Sequence, residues 1–146
     1  MSVTFIENNK RLELSILGYE FPDGKGDVYD VNWLDVGVAY DDGSLSFRQK
    51  DSCLLSYELE ELTEALDGIV EDRETGTIQT FMEPYLSFAV TRVGELYAVQ
   101  IRFVYDTSDG WKTVGVCQGM DRRELAALNR ELKAMSARFP RRAARE

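Results

Sequence analysis

The chain has 146 residues, 44% of them hydrophobic and 11% aromatic, with 17 Lys and Arg against 26 Asp and Glu and no histidine. That is enough for one globular domain burying roughly 70% of its unfolded surface, and a formal charge of −9 repels nucleic-acid phosphates and acidic lipid headgroups. The absent histidine removes the commonest general base, the Ser-His and Cys-His nucleophile pairs, and the commonest metal ligand.

No run approaches the roughly 18 apolar residues of a membrane span. The start, MSVTFIENNKRLE, lacks the basic-then-apolar order of a secretion signal, so a cytoplasmic protein is expected. RLELSIL, the first segment with a clear period of two, sets Leu12, Leu14 and Ile16 on one face and Arg11, Glu13 and Ser15 on the other. DGKGD at 23–27 is glycine-rich, but it lacks the strand-turn-helix setting of a phosphate cradle and reads as a flexible loop. Asp23, Asp27 and Asp30 cluster there without the spacing or closing Glu of a calcium loop. A solvated polar loop is expected, and no metal.

WLDVGVAY alternates through Leu34, Val36, Val38 and Tyr40 and runs into Asp42-Gly43, a dipeptide suited to positive φ at a hairpin, so SLSFRQ returns antiparallel. Gly37 in mid-strand marks a bulge or a close backbone approach. Asp35, the one acid in that apolar strand, is the candidate for a ligand-binding carboxylate; a solvent-facing strand position is the alternative.

From residue 56 the period becomes helical. Leu59, Leu62, Leu66, Ile69 and Val70 form an apolar stripe, with Ser56 as the expected N-cap. The opposite face is acidic: Glu60, Glu61, Glu64, Asp67 and Glu71, with no Lys on the helix to answer them. Like charges four apart repel by a few tenths of a kcal/mol, and Glu71, Asp72 and Glu74 crowd the helix end that disfavours acids.

TIQTFM, YLSFAVTR, LYAVQIRFVYD and KTVGVCQ are four further strands, punctuated by Glu83-Pro84, Val93-Gly94-Glu95 and Thr107–Gly110. The third, with Tyr97, Val99, Ile101, Phe103 and Tyr105 on one face, is expected at the centre of its sheet. Arg102, Phe103, Tyr105, Trp111 and Lys112 set aromatics near basic residues, but alternation buries much of that set and the surrounding charge is wrong for nucleic acid.

The closing helix starts at an Asp121/Glu124 capping pair, buries Leu125, Leu128, Leu132, Met135 and Phe139, and stops at Pro140. Residues 121–146 hold eight basic against four acidic residues, while residues 1–120 hold nine against 22. The expectation is one α+β domain over residues 1–140, built on a curled antiparallel sheet with a mid-chain helix and a C-terminal helix. Residues 141–146 read as a flexible basic tail. Half-barrel and sandwich both remain open, and no internal repeat is seen. Cys53 and Cys117 read as two reduced thiols.

No nucleophile elbow, P-loop or metal motif is present, so neither a catalytic residue nor a cofactor is expected. The acidic helix face is either a solvated surface or a docking surface for a basic protein, whose opposed field would speed association.

Three segments in order, LGYEFPDGKGDVYDVNWLDV (17–36), CLLSYELEELTEAL (53–66) and FMEPYLSFAV (81–90), resemble the WapI-type immunity protein family of bacteria. The likeness spans roughly residues 11–140 and is best at Asp30, Asn32, Trp33, Leu34, Glu83, Pro84, Leu86 and Phe88. It implies a non-enzymatic cytoplasmic protein that neutralises the C-terminal domain of a contact-dependent toxin; in the founding system that domain is understood to be a tRNA-cleaving nuclease. The matched positions look structural, with Trp33 and Phe88 expected in the core and Glu83-Pro84 in a turn. A basic nuclease would fit the acidic face as a nucleic-acid mimic, which makes Glu60, Glu61, Glu64, Asp67 and Glu71 the expected toxin contact. The competing readings are a carboxylate-lined ligand or metal domain centred on Asp35, and a plain interaction scaffold.

Overall fold

A computed structural model describes residues 1–145. Each run with a period of two is a strand, because alternation gives it one face to bury. The elements are β1 (Ser2–Glu7), β2 (Lys10–Tyr19), β3 (Trp33–Asp41), β4 (Ser46–Leu55), α1 (Ser56–Val70), β5 (Gly76–Thr80), β6 (Leu86–Val93), β7 (Leu96–Asp106), β8 (Lys112–Met120) and α2 (Arg122–Arg138). The order is four strands and a helix, twice over, a repeat of architecture without a repeat of sequence.

The strands form two four-stranded antiparallel meanders, β1-β2-β3-β4 and β5-β6-β7-β8, which do not close into a barrel. This is the α+β class expected, with β7 between β6 and β8 as its apolar face required. The inward residues of both sheets share one core, in which Phe5 and Phe88 meet edge to face with ring centroids 5.5 Å apart. β1 lies beside β8, where Ile6 N donates to Gln118 Oε1 (2.8 Å) and Cys117 N donates to Glu7 Oε1 (3.0 Å). α1 touches β4 and β5, and α2 packs on α1, β1, β7 and β8.

Several local expectations change. β1 has no counterpart in the sequence reading: Val3 and Phe5 are buried, and Asn8 at φ 52° makes the turn to β2. The β3–β4 turn has four residues rather than two. Asp42 N donates to Leu45 O (3.0 Å), Asp42 Oδ1 accepts from Ser44 and Leu45 N–H, and Gly43 takes the expected positive φ. Gly37 is a close approach, since a Cβ there would lie 2.6 Å from Ser15 Oγ; the bulges fall elsewhere, near Ile16–Gly18 and Leu34–Val36. Trp33 is half-buried rather than core, whereas Phe88 is fully buried.

Ser56 is not the N-cap. Leu55 holds that place, its N–H donating to Glu58 Oε1 (3.0 Å), and the Ser56 hydroxyl donates instead to Asn32 Oδ1 (2.6 Å). The Asn32 amide is fully buried and fully used: Oδ1 also accepts from Arg142 N (2.8 Å), and Nδ2 donates to Val28 O (2.7 Å) and Arg142 O (2.9 Å).

The segment expected as a loose tail is bonded to the 20–32 loop. The Arg142 guanidinium donates to Phe21 O (2.9 Å), Pro22 O (3.3 Å) and Val31 O (2.7 Å) and lies over the Tyr19 ring, 3.6 Å from its centroid. Gly26 and Arg145 exchange two backbone hydrogen bonds of 2.6 and 2.9 Å. The DGKGD loop is thereby strapped at both ends by the C-terminal segment.

Candidate functional site

The acidic helix face divides into two parts. Glu60, Glu61 and Glu64 are exposed, and among the described residues no Lys or Arg lies within ion-pair distance of them. Asp67 and Glu71 are answered. Lys133 Nζ of α2 stands 2.6 Å from Asp67 Oδ1, which also accepts from Asn129 Nδ2 at 2.9 Å. Arg73 reaches Glu71 Oε2 through Nε (3.0 Å) and Nη2 (2.7 Å). The acids at the helix exit are handled similarly: Asp72, at φ 59°, pairs with Arg122 of α2 and with Arg92 of β6 (3.6 Å). Lys133, Arg122 and Arg92, brought in by tertiary structure, together with the local Arg73 thus offset the repulsion and macrodipole cost that α1 would carry alone.

A second acidic group, not singled out from the sequence, sits where β4, the start of α1 and the β5–β6 connection meet. Glu58 is buried, with Oε1 holding Leu55 N–H and Oε2 holding Met82 N–H at 2.8 Å. Burial pushes its carboxyl above the usual range; the two N–H groups oppose that, and Glu61 and Glu83 add to the rise. Asp51 is also raised, first by burial and then by the charge of Glu83. Among the described residues, no cation lies within ion-pair distance of Asp51, Glu58 or Glu83. The same surroundings push the buried Cys53 thiol up to about 12, through burial first and then Asp51. Glu58 follows the helix start so closely that its sequence position suggests only a capping role. Its bond to Met82 joins residues 24 apart, and no local pattern announces that.

The carboxylates of Asp35 and of the 23–30 loop are engaged internally. Asp35, 20% exposed in its side chain, accepts from Ser52 Oγ (2.7 Å) and pairs with Lys50 (3.8 Å). The trough on that sheet face is lined by Arg11, Glu13, Asp41 and Arg48 among others, and Asp35 does not line it. In the 23–30 loop, Asp23 Oδ1 accepts from Lys25 N–H, and Asp27 Oδ1 accepts from Tyr29 and Asp30 N–H; these carboxylates cap turns. Among the described residues no group of three or more Cys, Asp or Glu is placed to hold a metal ion, and no helix is long and apolar enough to cross a membrane. Glu83-Pro84 lies in the bend expected.

The model of the family described as immunity protein WapI-like matches residues 4–140, from within β1 to the end of α2. No curated protein matches the chain.

Proposed function

The chain belongs to the immunity protein WapI-like family, and from that premise we propose that it binds and neutralises a basic toxin domain, a nuclease, through the acidic face of α1. The family is described as one of immunity proteins, which implies a toxin protein as the partner. The observation that carries the docking site is that Glu60, Glu61 and Glu64 stand exposed side by side with no cation among the described residues, whereas Asp67 is met by Lys133 and Glu71 by its neighbour Arg73. Asp67 and Glu71 border the same face and belong to the proposed contact with their charge partly offset. A nuclease grips phosphate with Lys and Arg, so a row of carboxylates on a rigid helix can occupy that surface and draw it in from a distance.

The test uses the toxin domain encoded beside this chain's gene. In stopped-flow association over a range of salt, the combined Glu60→Lys, Glu61→Lys and Glu64→Lys variant is expected to bind roughly tenfold more slowly at low salt, with a flatter salt dependence. An unchanged on-rate and salt slope would mean that this face is only solvated surface.

A further inference from the structure

The second sheet has one edge that the fold leaves open. β1 and β8, one edge of each sheet, lie beside each other. β4, the other edge of the first sheet, carries Arg48, Lys50 and Asp51 and breaks register near Leu34–Val36, the charges and irregularity that commonly keep an edge from pairing with another chain. β5 has none of these. Its sequence, GTIQT, holds no charge and no proline, and its register with β6 runs without interruption from Gly76↔Thr91 to Thr80↔Ser87.

Which groups the edge offers follows from one hydrogen bond. Arg92 N donates to Thr75 O (3.0 Å), so in this register Thr75, Thr77 and Gln79 turn their backbone groups toward β6, and Gly76, Ile78 and Thr80 turn theirs outward. Among the described residues nothing hydrogen-bonds to those outward groups. Ile78 is 79% exposed and Met82, just beyond the strand, 55%. At the Met82 end lie Asp51, Glu58 and Glu83 with no cation, and at the Gly76 end Glu74 is exposed and likewise unanswered among the described residues.

We propose that β5 is a docking edge that takes an extended, Lys- or Arg-bearing segment of the toxin as a fifth strand of the second sheet. The outward N–H and C=O groups of Gly76, Ile78 and Thr80 supply the ladder, Ile78 and Met82 the apolar anchors, and the carboxylates at the Met82 end choose a basic strand over an acidic one. Burial first and the charge of Glu83 second raise the Asp51 carboxyl, and a cation arriving beside the pair offsets the second of these. This inference rests on the immunity reading, but it concerns a surface separate from Glu60, Glu61 and Glu64.

The test pairs the purified chain with the toxin domain encoded beside its gene. Ile78→Pro removes an outward N–H without touching the ladder to β6, whereas Ile78→Thr keeps the N–H and the strand. The proline variant is expected to bind roughly 100-fold more weakly and the threonine variant less than tenfold more weakly. Melting curves check that both fold. In the wild type, the amides of Gly76, Ile78 and Thr80 are expected to exchange quickly alone and slowly in the complex; that measurement decides the matter if the proline variant does not fold. Wild-type affinity in Ile78→Pro with those amides still fast would overturn the docking edge and leave the immunity reading standing. No binding by the wild type would overturn both. Dimerisation of the chain alone that Ile78→Pro abolishes would assign the edge to a second copy and overturn the toxin as its occupant.

Discussion

At Asp51 the fold holds a carboxylate where it is disfavoured. Burial is the first cause and the nearby Glu83 the second, and both raise its pKa above the ordinary value. A carboxyl raised in the folded state stabilises the fold below its ordinary pKa, and that contribution is lost as pH climbs through the raised value. At neutral pH the wild type therefore carries a charge the fold resists. The Asp51→Asn variant is expected to melt above wild type at pH 7, with the gain vanishing as pH falls well below the ordinary Asp pKa of about 3.9, where Asp is neutral both folded and unfolded. Thermal melts across that range check it; a gain independent of pH would assign the effect to packing rather than charge. Glu58 shares the direction of shift but differs in kind, because its two oxygens hold Leu55 and Met82 N–H. Removing its charge would also remove a tie between α1 and the β5–β6 connection.

At the scale of elements, legibility followed the range of the interaction. Strands β2 to β8 and helix α2 were readable because alternation and the Asp121/Glu124 cap act between near neighbours; Asp121 Oδ1 indeed accepts from Glu124 N at 2.8 Å. β1 escaped because its apolar pair, Val3 and Phe5, is short and its turn uses Asn8 where glycine is the familiar signal. The start of α1 was misplaced because Ser56 bonds to Asn32, 24 residues away. The acidic face was plain in the sequence, but which acids are answered was not, since Lys133, Arg92 and Arg122 come from other elements. The C-terminal segment shows the same limit. RRAARE has the composition of a solvated tail, yet Arg142 meets three carbonyl oxygens held by the 20–32 loop. Arg142→Ala is expected to lower stability by about 2 kcal/mol in urea unfolding, given the usual worth of hydrogen bonds to a charged group, and to speed amide exchange at Gly26. Arg142→Lys is expected to restore little, because an ammonium cannot present the planar fork.

Across the whole molecule, the two four-strand-plus-helix units divide the charge unequally and share the core. The basic C-terminal helix sends Lys133 and Arg122 to Asp67 and Asp72 of the first unit, which leaves uncancelled acid at Glu60–Glu64 and around Asp51 and Glu83. Those are the two surfaces proposed above as contacts for a toxin. The same sharing governs stability. Neither sheet has a core of its own, because the inward faces of both enter one cluster and Phe5 of the first meets Phe88 of the second. Units that cannot bury their faces separately unfold together. Truncating the contact in Phe88→Ala should therefore cost about 3–5 kcal/mol and still give one transition. The check is urea unfolding followed by far-UV circular dichroism and by labelling of Cys53, which is buried in the first unit. The two probes should shift to the same lower midpoint with the slope unchanged. If Cys53 in the variant became reactive only after the circular dichroism transition, the first unit would be standing without the second, and the shared core would not be what joins them.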